Sequence, residues 1–140
     1  MKASAAWTIG TRCEAVALDE ATREWLFRFS DGSCLQVASP WRIIADGRIA
    51  LGHGDHGQQF GRPEPVDGIA AANELLRGRS TESITIADQS SDLAIGFEGG
   101  RHLEVFNSSS GYEAWMFNTA DGRWVVGQGG GSLVEATKRR

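Results

Sequence analysis

Long hydrophobic runs are missing from this chain. No apolar stretch approaches the roughly 20 residues needed to cross a bilayer, so no membrane-spanning helix is expected. Cysteine is scarce: Cys13 and Cys34 are the only two, too few for the disulfide framework of a small secreted domain. They read as reduced thiols packed as small hydrophobes. Positive charge is also short, with 14 Lys and Arg against 18 Asp and Glu for a net −4. That argues against nucleic acid as a direct partner, because affinity there comes largely from cations on phosphates. The opening Met1 to Gly10 has one lysine and no continuous apolar stretch, which makes a poor signal peptide. The expectation is a cytoplasmic protein with no membrane partner.

What is present is the composition of an ordinary globular domain. Of 140 residues, 41% are hydrophobic and 23% charged, enough for one domain to bury a core without staples. A decapeptide occurs twice: Ala45-Asp46-Gly47-Arg48-Ile49-Ala50-Leu51-Gly52-His53-Gly54 returns as Ala120-Asp121-Gly122-Arg123-Trp124-Val125-Val126-Gly127-Gln128-Gly129. It ends a longer repeat. A shift of 68 carries Val16 and Leu18 onto Ile84 and Ile86, and Trp25, Phe27 and Phe29 onto Leu93, Ile95 and Phe97. The same shift carries Leu35 and Val37 onto Leu103 and Val105, after which the shift becomes 75. The extra residues fall in the loop around Asn107-Ser108-Ser109-Ser110-Gly111.

Within each half, apolar residues alternate with polar ones at the strand period of two. Asp-Gly pairs at 31–32, 46–47 and 121–122 mark hairpin turns, since both residues tolerate positive φ. Each half therefore reads as a five-stranded antiparallel meander, with Ile49 matched to Trp124 and Leu51 to Val126 on the inner face. Between the halves, Asp67 is a good helix N-cap and Gly78 a good stop; Ile69, Ala72, Asn73 and Leu76 share a face at helical spacing. The predicted fold is α+β and strand-dominated: two five-stranded meander repeats related by a pseudo-twofold, with one helix in the linker. The boundaries are about 12–54 for the first repeat, 55–81 for linker and helix, 82–131 for the second repeat and 132–140 for a basic tail ending Lys138-Arg139-Arg140. All of it forms one domain, since each half is too small to stand alone.

Catalytic and metal signatures are thin. His53, Asp55 and His56 are residue types that hold zinc, but glycines surround them and no further Cys or His is near in sequence, so no metal or other cofactor is expected. Gly127 to Ser132 lacks the Lys-Ser/Thr of a phosphate loop. Cys34 falls on His102 under the 68 shift, which would bring thiol and imidazole together if the halves packed about a twofold. No local signature of a nucleophile accompanies them, and no catalytic residue is assigned.

The uneven charge is more informative. From Glu82 to Asp121 there are seven acids and the single base Arg101. Tyr112-Glu113-Ala114-Trp115-Met116-Phe117 follows the Ser-rich loop, and alternation cannot bury all of it. Glu98, Glu104, Phe106, Tyr112 and Glu113 form the predicted partner-binding surface, with aromatics as anchors and carboxylates for steering.

The Asp31-Gly32 turn, the Leu35-x-Val37 strand, Tyr112-Glu113-x-Trp115, the Asp121-Gly122 turn and the glycine-rich end together resemble a group of small single-domain bacterial proteins. Many of those resemble immunity proteins of toxin–immunity systems, including contact-dependent growth inhibition. The resemblance spans Trp25 to Gly131. It implies a cytoplasmic, non-catalytic protein that binds a cognate toxin domain, many such toxins being basic nucleases. The rival expectation is a small-ligand binder or enzyme with a pocket between the repeats lined by Cys34, Trp41, His53, His56 and His102. Oligomeric state is left open.

Overall fold

Alternating apolar residues build most of the strands. In the computed structural model, which describes Ala3, Ser4 and residues 9–137, the first half contributes β1 (Ala3–Ser4), β2 (Cys13–Leu18), β3 (Trp25–Phe29), β4 (Cys34–Val37), β5 (Trp41–Ala45) and β6 (Arg48–Gly52). After helix α1 (Gly68–Leu76) come β7 (Thr81–Ile86), β8 (Leu93–Phe97), β9 (Arg101–Val105), β10 (Trp115–Asn118), β11 (Arg123–Gly127) and β12 (Leu133–Thr137). Lys138-Arg139-Arg140, the basic end of the predicted tail, lies outside the described residues.

These strands form two antiparallel sheets, ordered β1-β7-β8-β9-β5-β6 and β12-β11-β10-β4-β3-β2. Trp25, Phe27, Phe29, Leu35 and Val37 of one sheet meet Trp41, Ile43, Ile84, Ile95 and Leu103 of the other in one buried cluster. Trp41 sits edge-on to Trp25 at 4.9 Å and to Phe27 at 5.4 Å across that interface. Burial of each such side chain contributes about 1.5–3 kcal/mol. No helix among the described residues is long and apolar enough to cross a membrane.

The five-stranded meander is not what forms. Three strands of each half stay together, and the next two leave for the other sheet. β4 pairs with β10, setting Trp115 against Val37 and Phe117 against Leu35. β5 pairs with β9, setting Trp41 against Val105 and Ile43 against Leu103. Pro40 has no N–H for a ladder, and its carbonyl accepts from Phe106 N at 2.9 Å as the chain crosses between sheets. Residues 106–114 make the corresponding crossing in the second half.

Two further expectations fail for a shared reason. Ile49 and Trp124 were matched as inward positions, yet they are 60% and 39% exposed. The two Asp-Gly turns differ. Asp46 and Gly47, at φ 54° and 74°, form a two-residue loop between the paired Ala45 and Arg48. Asp121 and Gly122 belong to a three-residue loop closed by Thr119 N donating to Arg123 O at 2.9 Å. One residue of register separates the copies, and an irregularity after Ile43 resets β6. The inward pair is Leu51, opposite Ile43, and Val125, opposite Phe117. Val126, expected inward with Leu51, lies on the outer side at 9% exposure.

The predicted tail also hides a strand, since Leu133–Thr137 pairs along β11. The helix forms with Asp67 as N-cap, accepting from Ala70 N at 3.0 Å, and Gly78 follows it at φ 83°. It packs against β2, β5 and β6 and buries Gly68, Ala72 and Leu76. Asn73 leaves the core-facing set and turns to β2, where Oδ1 accepts from Val16 N at 2.8 Å and Nδ2 donates to Val16 O at 2.9 Å.

Candidate functional site

Four connections gather at one end of the sandwich. The β4–β5 crossing at Ala38 to Pro40, the turn at 87–92, the loop at 106–114 and the glycine-rich 128–132 meet there. Asn107 ties three of them together. Its backbone N donates to Asp92 Oδ1 at 2.8 Å, and its Nδ2 donates to Gln128 O at 2.6 Å and to Ser91 Oγ at 3.2 Å. Trp115 Nε1 reaches out of the core to Ser91 O at 2.9 Å. Ser109 Oγ accepts from the backbone N–H groups of Gly111 and Tyr112 at 3.1 and 2.9 Å, which fixes the loop tip in a Ser-type turn.

Close backbone approach explains the glycines here. A Cβ on Gly129 would lie 2.4 Å from the Gly111 carbonyl carbon, and one on Gly131 would overlap Gln89 O at 1.5 Å. The amides of Gly130 and Gly131 donate to Ser109 O and Gln128 O, so these two are spent inside the fold.

Between the loop and the crossing lies a cleft of about 620 Å³, lined among others by Glu24, Ser39, Pro40, Ser108, Tyr112 and Glu113. Tyr112 is 83% exposed at its mouth. Glu24 and Glu113 also share a smaller recess beside Gln36 and Met116. No cation pairs with either carboxylate among the described residues. The site therefore offers an exposed ring, hydroxyls and two uncompensated carboxylates, a set that suits a basic group through charge and cation–π attraction.

Of the predicted partner surface, the structure keeps Tyr112 and Glu113 at this cleft and puts the rest elsewhere. Glu104 is held by Arg42, Oε1 to Nε 2.7 Å, directly across the β9–β5 ladder. The Arg42 guanidinium also lies 5.1 Å from the Phe106 ring centroid, so these three form a unit on the outer face of the first sheet. Glu98 sits beyond the far end of β9, where Oε1 accepts from Ser80 N at 2.9 Å. Glu24 escaped the sequence reading because its approach to Glu113 depends on β10 joining β4, a pairing with no local signal.

The other candidates separate as well. Asp55 Oδ2 accepts from Gly52 N at 2.9 Å, and His56 Nδ1 accepts from Gly68 N at 2.9 Å while its ring stands edge-on to Trp25. His53 is exposed. Among the described residues no three His, Cys, Asp or Glu converge as a ligand set. Cys34 and His102 lie on different sheets, next to the inward Leu35 and Leu103, which overturns the thiol–imidazole pairing. Trp41 is in the core, so the five residues of the rival pocket do not line one. Burial pushes the Cys13 thiol up to about 11 and the Cys34 thiol above its usual value, the opposite of an activated nucleophile.

Comparison of the chain with protein-family models, with curated proteins and with solved structures finds no match in any of the three.

Proposed function

We propose that this chain is an immunity-type binding protein of the cytoplasm that neutralises a cognate basic toxin domain, of the nuclease kind, by direct contact through the loop end of the sandwich. One observation carries the reading: Tyr112 stands 83% exposed beside a cleft of about 620 Å³ whose only charged lining groups among the described residues are Glu24 and Glu113. An exposed aromatic flanked by free carboxylates has the make-up of an anchor with steering charge. The surface differs from the one read in the sequence, with Glu24 taking the place of Glu98, Glu104 and Phe106.

The test is association with the variable C-terminal domain of a large secreted protein encoded immediately upstream. Binding should slow as salt rises, because exposed charges are screened. Tyr112→Ala combined with Glu113→Lys should weaken it by about tenfold or more. Association indifferent to both changes would discard the surface.

A second reading has its own support. The cleft's volume falls within the range of small-molecule pockets, roughly 300–1,000 Å³, so a cationic metabolite could occupy it. A thermal-shift screen separates the two, since a true small ligand stabilises by mass action.

We also infer an internal duplication with a pseudo-twofold, in which the halves exchange their terminal hairpins. Arg12 and Ser80, which are 68 apart, face each other in an isolated antiparallel bridge. The residues paired with Val37 and Val105, also 68 apart, are Trp115 and Trp41. A twofold through the Arg12–Ser80 pair accounts for both.

A further inference from the structure

The matched rows on the two outer faces of the sandwich differ in kind. Across the first sheet, strand register sets Thr85, Ala94, Glu104, Arg42 and Gly52 in one row, and the charges within it neutralise each other. The matching row of the second sheet reads Val134, Val126, Met116, Gln36, Leu26 and Ala17. It is apolar but for one amide. Beside it Trp124 adds an indole, and Trp124 and Val134 are each 39% exposed. A half-solvated antiparallel sheet ordinarily turns polar residues outward, so a contiguous apolar stripe marks an interaction surface.

Strand β3 says what covers it. Its inward residues are Trp25, Phe27 and Phe29, so Glu24, Leu26 and Arg28 form the outward series. That series is self-complementary on reversal. A twofold axis lying between two such faces, perpendicular to β3 at Leu26, sets Leu26 on the partner's Leu26. It also sets Glu24 on the partner's Arg28, twice. Within the chain, neither residue is paired with an opposite charge among the described residues; the group facing Arg28 is the Cys34 thiol. Glu24 borders Gln36 and Met116 of the apolar row, so the ion pairs would flank the stripe.

We propose that the outer face of the β12-β11-β10-β4-β3-β2 sheet binds a second copy of this chain in an isologous dimer. Closed twofold symmetry is the usual solution for a self-complementary patch. At the ordinary strand spacing the stripe is roughly 24 Å long, which puts the contact at the small end of stable interfaces. The dimer is therefore reversible and governed by concentration. The inference does not rest on the toxin-binding reading, whose anchor Tyr112 lies outside the stripe, but the two surfaces share Glu24, so a dimer would withdraw that carboxylate from the cleft.

Sedimentation equilibrium of the full chain over a wide range of loadings tests it, with circular dichroism melts verifying that each variant is folded. The wild type should fit a monomer–dimer equilibrium. Glu24→Arg alone and Arg28→Glu alone should each weaken it by about tenfold or more. The double exchange Glu24→Arg with Arg28→Glu should restore most of the loss, and Leu26→Asp should leave a folded monomer. A wild type that stays monomeric at every loading overturns the proposal, as it would if a different protein covers this face. A double exchange no better than the single ones, or self-association untouched by Leu26→Asp, overturns it equally.

Discussion

An asparagine side chain carries one acceptor and one donor group, and Asn73 applies both to a single residue of β2. By accepting from Val16 N and donating to Val16 O, it does for that edge what a neighbouring strand would do. Edge strands left with unpaired groups invite association with other chains, so the amide protects as well as stabilises. Asn73→Leu keeps the branched shape, removes both hydrogen-bonding groups and strands both Val16 groups beneath the helix. It should cost about 2–6 kcal/mol, from 1–3 for each group left without a partner, read as a lower urea midpoint at unchanged slope. Asn73→Asp, which keeps the acceptor and loses the donor, should fall between.

Cys13 supplies a second prediction at this scale. Burial disfavours the thiolate and lifts the folded pKa from 9.0 to about 11. For an acid held neutral, the linked stability is complete below the unfolded pKa and is lost as pH rises through the folded one. Two units correspond to about 2–3 kcal/mol. Stability should therefore decline between pH 9 and pH 11, and the decline should be shallower by that amount in Cys13→Ala. Urea unfolding of both proteins at each pH checks it.

At the scale of elements, strand protection should follow position in the sheet. β8 is flanked on both sides by β7 and β9 and is buried through most of its length, whereas β12 is an edge whose last four residues are exposed. Amide hydrogen exchange should find Ile95 and Gly96 among the slowest groups and Glu135 and Ala136 among the fastest, since edge openings need only local free energy. Equal protection of β8 and β12 would contradict that order.

Much of this level was legible in the sequence. Trp25, Phe27 and Phe29 announce β3, and Asp67 and Gly78 bracket α1, because period and caps are local properties. Register was not legible past the Asp-Gly turns. The same dipeptide closes a two-residue loop at 46–47 and a three-residue loop at 121–122, and the choice is made by which residues flank it in the ladder. β12 was missed because Leu-Val-Glu-Ala-Thr becomes a strand through pairing with β11, not through its own pattern. One residue of the proposed binding surface was missed likewise: Tyr112 and Glu113 could be read from failed alternation, while Glu24 reaches the same cleft only because two strands distant in sequence became neighbours.

At the scale of the whole molecule, the crossing of the chain between sheets makes each half dependent on the other. β10 rests on β4 and β5 on β9, so neither half contains a complete sheet. A chain divided in the exposed segment around Gln59 to Pro63 should give two fragments that are unfolded alone by circular dichroism. Mixed in equal amounts they should regain the strand signal and the buried-tryptophan fluorescence. A fragment that folds by itself would contradict the dependence. Pairings of this sequence separation also slow folding, because the loop entropy is spent before the contacts form.

The proposed duplication, with its exchanged hairpins, would bear on descent. A polypeptide of half this length, with three strands and a trailing hairpin, would find no place for that hairpin within itself. Its sheet could close only around a hairpin donated by another molecule, and it would donate its own in return. Such an ancestor could exist only as a pair of chains. Joining two copies through a segment such as 53–67 would turn that encounter into an intramolecular event at an effective concentration on the order of millimolar. A bimolecular equilibrium would have become a property of one gene product, leaving each copy's loops free to diverge.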